Sequence, residues 1–174
     1  MFISFSAREN GNCVDIANYL KKDNDRLILF KDLNIQGCKN CNYECFSSMC
    51  KFREDDIYSL FESMKEYKKV ILIVPMYCGN PSSLYFSFNE RSQDYFFHNE
   101  AEYDIFLTKL YLIGVYGSKS ETPDFIQCLS KWFNCSDTSK HILCIERHIY
   151  NQKMEDRIID VLDVKNILNR FIID

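Results

Sequence analysis

The stretch "KKVILIVPMY" at 68–77 constrains the fold of this chain more than any other. Five aliphatic residues, Val70 to Val74, stand in succession before Pro75, so neither face of the extended segment is polar. A strand of that kind has to be covered on both sides, as a central parallel strand is. Around it the pattern alternates. "FISF" at 2–5, "RLILFKDLNI" at 26–35, "KLYLIGVYG" at 109–117 and "HILCI" at 141–145 read as further strands. Between them Val14, Ala17 and Leu20 fall at helical spacing, as do Ile57, Leu60, Phe61, Met64 and Tyr67, with Asp55 or Asp56 as a cap. Residues 81–97 read as a helix starting near Pro81, and Phe125, Leu129, Trp132 and Phe133 give a helical face after Pro123. Met154, Ile158, Val161, Leu162, Ile167 and Leu168 predict one long amphipathic C-terminal helix. The acidic, aromatic segment 92–104 has no clear period and reads as a flap or long loop.

Five strands alternating with five helices predict an α/β fold, a doubly wound parallel sheet with helices on both faces. Ligands of such sheets sit beyond the carboxyl ends of the strands, where the strand order reverses. That places function in the loops 6–13, 75–83 and 116–122. The 174 residues suit one domain over 1–174, and 47% hydrophobic with 26% charged residues is a globular composition. A net charge of -4 without a basic stripe argues against nucleic acid as a partner. The N-terminus has neither a basic leader region nor a membrane-length apolar run, so no membrane role and a cytoplasmic location are expected. In that compartment the nine cysteines read as free thiols, metal ligands or redox centres rather than structural disulfides.

The first loop, "SARENGN" before Cys13, opens a strand into a helix through Ser6, Arg8, Asn10, Gly11 and Asn12. Free N–H groups at a helix start, with hydroxyl and amide donors beside them, can surround a phosphate, and Gly11 allows close approach. By itself the loop reads equally as an ordinary capped turn.

"FSARENGNC" resembles the phosphate loop of the NAD(P)H-dependent FMN reductases and iron-sulfur flavoproteins, G-S-x-R-x-x-G-N-T, with Phe5 in place of the first Gly and Cys13 in place of Thr. "PMYCGNPSSLYFSFNER" is similar without a gap to that family's second loop and helix, P-x-Y-W-G-N-x-S-A-x-L-K-x-F-x-D-R. Pro75, Tyr77, Gly79, Asn80, Ser82, Phe88 and Arg91 match, and Cys78 stands where Trp is common. The resemblance implies a flavodoxin-like sheet of order 2-1-3-4-5 and a bound FMN. Its phosphate would lie on Ser6, Arg8, Asn10, Gly11, Asn12 and Cys13. Its ring edge would lie on Pro75, Met76, Tyr77, Cys78, Gly79, Asn80 and Ser82, with Gly117 and Ser118 of the third loop both fitting only loosely and reading equally as a plain loop.

"GCKNCNYECFSSMC" spaces four cysteines as Cys38-x2-Cys41-x3-Cys45-x4-Cys50 in the segment 37–52. Their place after strand two, and the "REDDI" that follows, resemble the cysteine motif of iron-sulfur flavoproteins, whose spacing is C-x2-C-x2-C with a later fourth Cys. Cys45 lies one residue late against that pattern. A 4Fe-4S cluster on Cys38, Cys41, Cys45 and Cys50, a zinc ion on the same thiols, and unligated thiols or a disulfide all stay open.

The resemblance implies an oxidoreductase that takes hydride from NAD(P)H onto FMN and passes electrons to a small-molecule or protein acceptor, the cluster serving as a relay. No side chain is assigned to acid–base work, and His98, His141 and His148 show no ligand spacing. A flavodoxin-type carrier without NAD(P)H activity and a flavin-free interaction protein are the competing readings. A dimer or tetramer is expected, with Tyr95, Phe96 and Phe97 as contact residues.

Overall fold

The computed structural model describes residues 1–117, 123–133, 140–153 and 155–173. The strands are β1 Phe2–Ser4, β2 Leu27–Leu29, β3 Val70–Tyr77, β4 Asn80–Pro81, β5 Leu110–Tyr116 and β6 Ile142–Glu146. The helices are α1 Asn12–Leu20, α2 Asp56–Met64, α3 Ser83–Phe96, α4 Glu100–Lys109, α5 Pro123–Ser130 and α6 Leu162–Ile173. The parallel sheet runs β2-β1-β3-β5-β6, which is the expected doubly wound, flavodoxin-like order, and the short β4 pairs antiparallel with β3 at its edge. Val70 opposite Leu110 and Phe2 opposite Ile71 set the register of the central strands.

The aliphatic run of β3 divides between two cores because strand side chains alternate. Val70, Leu72 and Val74 pack with Leu60, Phe61, Phe88, Phe106 and Phe125 under α2–α5. Ile71 and Ile73 pack with Ile16, Ala17, Val164 and Leu168 under α1 and α6. On β5, Gly114 lets α5 lie close to the sheet: a Cβ there would stand 2.8 Å from Leu129 Cδ1 and 2.9 Å from Phe125 Cε1.

Several local expectations change. The second strand is only Leu27–Leu29, followed by a 3-10 turn at Phe30–Asp32. The segment 92–104 is no flap: α3 runs to Phe96, and α4 starts at Glu100 behind Asn99, whose side chain accepts from Glu102 N–H. In α4 only Phe106 is fully buried, so the apolar stripe that betrays a helix in sequence is missing. The C-terminal helix is shorter than predicted, with a 3-10 turn at Ile158–Asp160 before α6 begins at Leu162; Met154 lies outside the described residues. Pro81 belongs to β4, and Ser82 is the cap of α3. Among the described residues no helix is long and apolar enough to cross a membrane.

Candidate functional site

The order of the sheet reverses between β1 and β3, and the loops leaving these two strands form the site. β1 continues into the loop as far as Phe5, whose N–H donates to Ile73 O at 3.0 Å. The Phe5 ring turns into the core, where it packs on Phe30 at 4.9 Å and on Phe88 at 5.3 Å. The glycine of the resembling motif is thus replaced by a core side chain that leaves the loop's outer surface free. Ser6 Oγ accepts from Arg8 N–H at 3.0 Å, so its own hydrogen remains for an acceptor in the cleft. Gly11 enters α1 with extended backbone, and its carbonyl accepts from Val14 and Asp15 N–H. Asn12 Oδ1 accepts from Ile158 N–H at 2.9 Å, which ties the loop to the segment before α6 and orients the side-chain amide.

β3 turns back on itself through Cys78 and Gly79 into β4, with Tyr77 paired to Asn80 and Met76 to Pro81. Both central residues have positive φ, 50° at Cys78 and 79° at Gly79, as a two-residue hairpin turn requires. For Cys78 this backbone costs on the order of 1 kcal/mol. The Asn80 amide donates to Cys78 O at 3.1 Å and so braces the turn. Two bonds hold hairpin and first loop together: Ser82 Oγ donates to Phe5 O at 2.8 Å, and Ala7 N–H reaches Tyr77 Oη at 3.4 Å.

Between them lies a cleft of about 270 Å³. Ser6, Arg8, Gly11, Asn12 and Cys13 line it from the first loop, and Pro75, Met76, Tyr77 and Cys78 from the hairpin. Gly117 joins them at the end of β5; Ser118 lies outside the described residues. Four predicted residues are not in its lining. Asn10 faces an adjoining cleft of about 600 Å³ that shares Arg8, Gly11 and Asn12. Asn80 braces the turn, and Ser82 is 2% exposed, its hydroxyl spent on the cap and on Phe5. Gly79 is the turn itself.

Sequence reasoning missed Tyr116 and Arg147, which also line the cleft. Tyr116 opens the expected third loop 116–122 but is not singled out there as a site residue, and no motif marks Arg147 after β6. The described lining carries two guanidiniums, Arg8 and Arg147, and no carboxylate. Its thiol Cys13 and phenol Tyr116 stay neutral. Burial pushes the Cys13 thiol up to about 12, and burial, then Cys144 and Glu146, push the Tyr116 phenol up to about 12. Guanidiniums and neutral polar groups thus make up the polar part of the described lining. A larger groove of about 480 Å³ beside Phe96, Phe97 and Trp132 shares no residue with the three loops and lies off the strand ends.

The cysteine segment is a loop closed at its base. Arg91 on α3 donates to Gln36 O at 2.7 Å and to Phe52 O at 2.9 Å, one at each end of the loop, and pairs with Asp55 between them. Farther out, His98 Nε2 meets Cys45 O at 2.8 Å, and Phe46 packs edge-on against Phe97 at 4.8 Å. All four thiols are free; Cys38 is exposed and Cys41 is 7% exposed. Desolvation, then the charges of Cys41, Asp94 and Cys38, raise the Cys45 thiol above its ordinary pKa, so three of the thiols share one neighbourhood. Among the described residues no three His, Cys, Asp or Glu side chains stand in a metal-holding group. The loop supplies the number and type of donors for a cluster or for zinc, without a preassembled coordination sphere.

Sheet order, flanking helices and a cleft at the strand reversal define a flavodoxin-like α/β protein. No family model matches the chain. A segment of 67 residues is 33% identical to an iron-sulfur flavoprotein of Archaeoglobus fulgidus, covering 38% of this chain and 32% of that protein. The chain thus matches about a third of that relative's length.

Proposed function

We propose that the chain is an FMN-dependent oxidoreductase that takes hydride from NAD(P)H and passes electrons to a small-molecule or protein acceptor. The observation that carries this reading is the cleft at the strand reversal, with Arg8 and Arg147 in its walls and no carboxylate in its described lining. The segment shared with the iron-sulfur flavoprotein supports it.

In this reading the first loop holds the phosphate through the Ser6 hydroxyl, the Asn12 amide and the backbone N–H groups at the start of α1. The hairpin presents the strained Cys78–Gly79 turn and the half-exposed Tyr77 ring to the flavin edge. Bound FMN would supply the hydride-accepting ring and release electrons one or two at a time, while the protein positions and tunes it. Cys38, Cys41, Cys45 and Cys50 would hold a 4Fe-4S cluster once the loop has rearranged around it.

Assembly into a dimer or tetramer belongs to the same proposal. Of the three aromatic contact residues expected for it, Phe96 is buried in the chain's own core and Tyr95 stacks on Phe61 at 4.9 Å. Phe97, with Phe46, Tyr43 and Met49 of the cysteine loop, forms the exposed apolar patch that supports association.

The test is to titrate the purified chain with FMN, following flavin fluorescence, and then to add NADH or NADPH anaerobically. Saturable binding followed by bleaching of the flavin absorbance is the expected result. Binding without bleaching leaves an electron carrier, and no binding at all leaves a flavin-free protein on the same fold.

A further inference from the structure

Arg147 is the cation of the site that no motif in the sequence marks. It follows β6 directly, in the 3-10 turn Arg147–Tyr150, and lines both the 270 Å³ cleft and the adjoining one, so its side chain stands where the two meet. One end is held: its Nη2 donates to Lys153 O. Its Nε is shut off from solvent and finds no acceptor among the described residues. The residues it shares both clefts with are Arg8, Gly11 and Asn12 of the first loop, which face it with donors rather than acceptors. Among the described residues no ion pair joins Arg147 to a carboxylate, and a phosphoryl group accepts from a guanidinium fork in two places. The adjoining cleft also carries Asp15, Glu155 and Asp156, with Arg157 tied to Asp15 at 2.9 Å, whereas the described lining of the 270 Å³ cleft has no carboxylate, so an anion finds its favourable place there.

We propose that Arg147 is a second phosphate-binding guanidinium: the monoester phosphate of a flavin mononucleotide on the loop 6–12 is gripped from the β6 side by Arg147 as well as by Arg8. The proposal rests on the flavin reading above. It makes the end of β6, the edge strand of the sheet, part of the binding site, and it makes affinity depend on the phosphate rather than on the ring alone.

The experiment compares FMN with riboflavin, which has the same ring and no phosphate, on wild type, Arg147→Met and Arg147→Lys. Wild type should prefer FMN. Arg147→Met should weaken FMN about tenfold or more, the worth of one charge-assisted bond, and leave riboflavin within about twofold. Arg147→Lys, which keeps the charge and loses the fork, should fall between. Equal loss of both ligands would assign Arg147 a merely structural role and overturn the proposal, as would FMN affinity unchanged in Arg147→Met. Wild type binding both ligands equally would also overturn it while the flavin reading stands. Wild type binding neither would defeat the flavin reading itself.

Discussion

The guanidinium of Arg91 and the carboxylate of Asp55 meet at 2.5 Å inside the protein, their side chains 3% and 0% exposed. Asp55 also accepts from Gln36 N–H at 2.8 Å and from Ile57 N–H at 3.3 Å, so one carboxylate caps α2 and ties down the entrance of the cysteine loop. Arg91 takes the carbonyls at both ends of that loop. The pair is the lock on the only segment between β2 and α2, and its chemistry yields the first prediction.

Arg91→Met should destabilise the fold by about 3–5 kcal/mol, because it leaves the Asp55 charge buried and unpaired. Urea unfolding measures this. Trypsin should then cut at Lys39, Lys51 or Arg53 well before it cuts the wild type. The double variant Arg91→Met with Asp55→Asn, which keeps the cap and removes the stranded charge, should recover a good part of the loss. Equal stability of the two variants would mean that the ion pair is not what closes the loop.

Asn12→Asp separates folding from binding. An aspartate retains the oxygen that accepts from Ile158 N–H, and a negative charge in the first turn of α1 favours the helix. Thermal stability should therefore hold or rise slightly. The same charge faces the anion site, so FMN should bind about tenfold or more weakly. Unchanged FMN affinity would remove Asn12 from the phosphate site.

The buried thiols predict an alkaline loss of stability. In the folded chain Cys13 is pushed up to about 12 and Cys144 to about 11 by burial, against 9.0 for an unperturbed thiol. Both groups have raised folded-state values, so their contribution is complete below pH 9 and is lost progressively from there up to the folded values of about 11 and 12. Each adds at most about 1.4 kcal/mol per pH unit in that window. Unfolding free energies at pH 8 to 10 check this, with a shallower slope expected for Cys13→Ala. At neutral pH iodoacetamide should label the exposed Cys38 and Cys78 and spare Cys13.

Anaerobic reconstitution with iron and sulfide should load about four irons per chain if Cys38, Cys41, Cys45 and Cys50 ligate one cluster. Cys41→Ala should abolish the iron and spare FMN, because the cysteine loop follows β2 while the loop proposed to hold FMN leaves β1. About one zinc per chain instead would assign the thiols to a tetrahedral ion. Flavin without any metal would leave them unligated.

Much of this could be read before any coordinates. The aliphatic run of β3, the helical stripes of α1, α2 and α5, and the loops that join them are short-range patterns, and periodicity reports which faces must be buried. The Asp55 cap was readable for the same reason. α4 was not, because it buries a single residue completely and carries no stripe. The β4 hairpin was hidden because Pro81 suits a helix start as well as an edge strand.

The site divides in the same way. Composition, spacing and resemblance determined that two loops at the strand reversal carry donors for an anion and that four thiols share one loop. Only the folded chain decided which of those residues face the cleft. Phe5 went to the core, Ser82 became a brace between loops, and Asn10 came to line the adjoining cleft. Residues far along the chain were brought in: Arg147 to the cleft of the first loop, Ile158 to Asn12, and Arg91 to the ends of a loop it follows by 39 to 55 positions. The physical reason is range. Backbone periodicity and loop motifs act over a few residues, whereas the placement of a guanidinium depends on how the whole sheet and both helical layers pack.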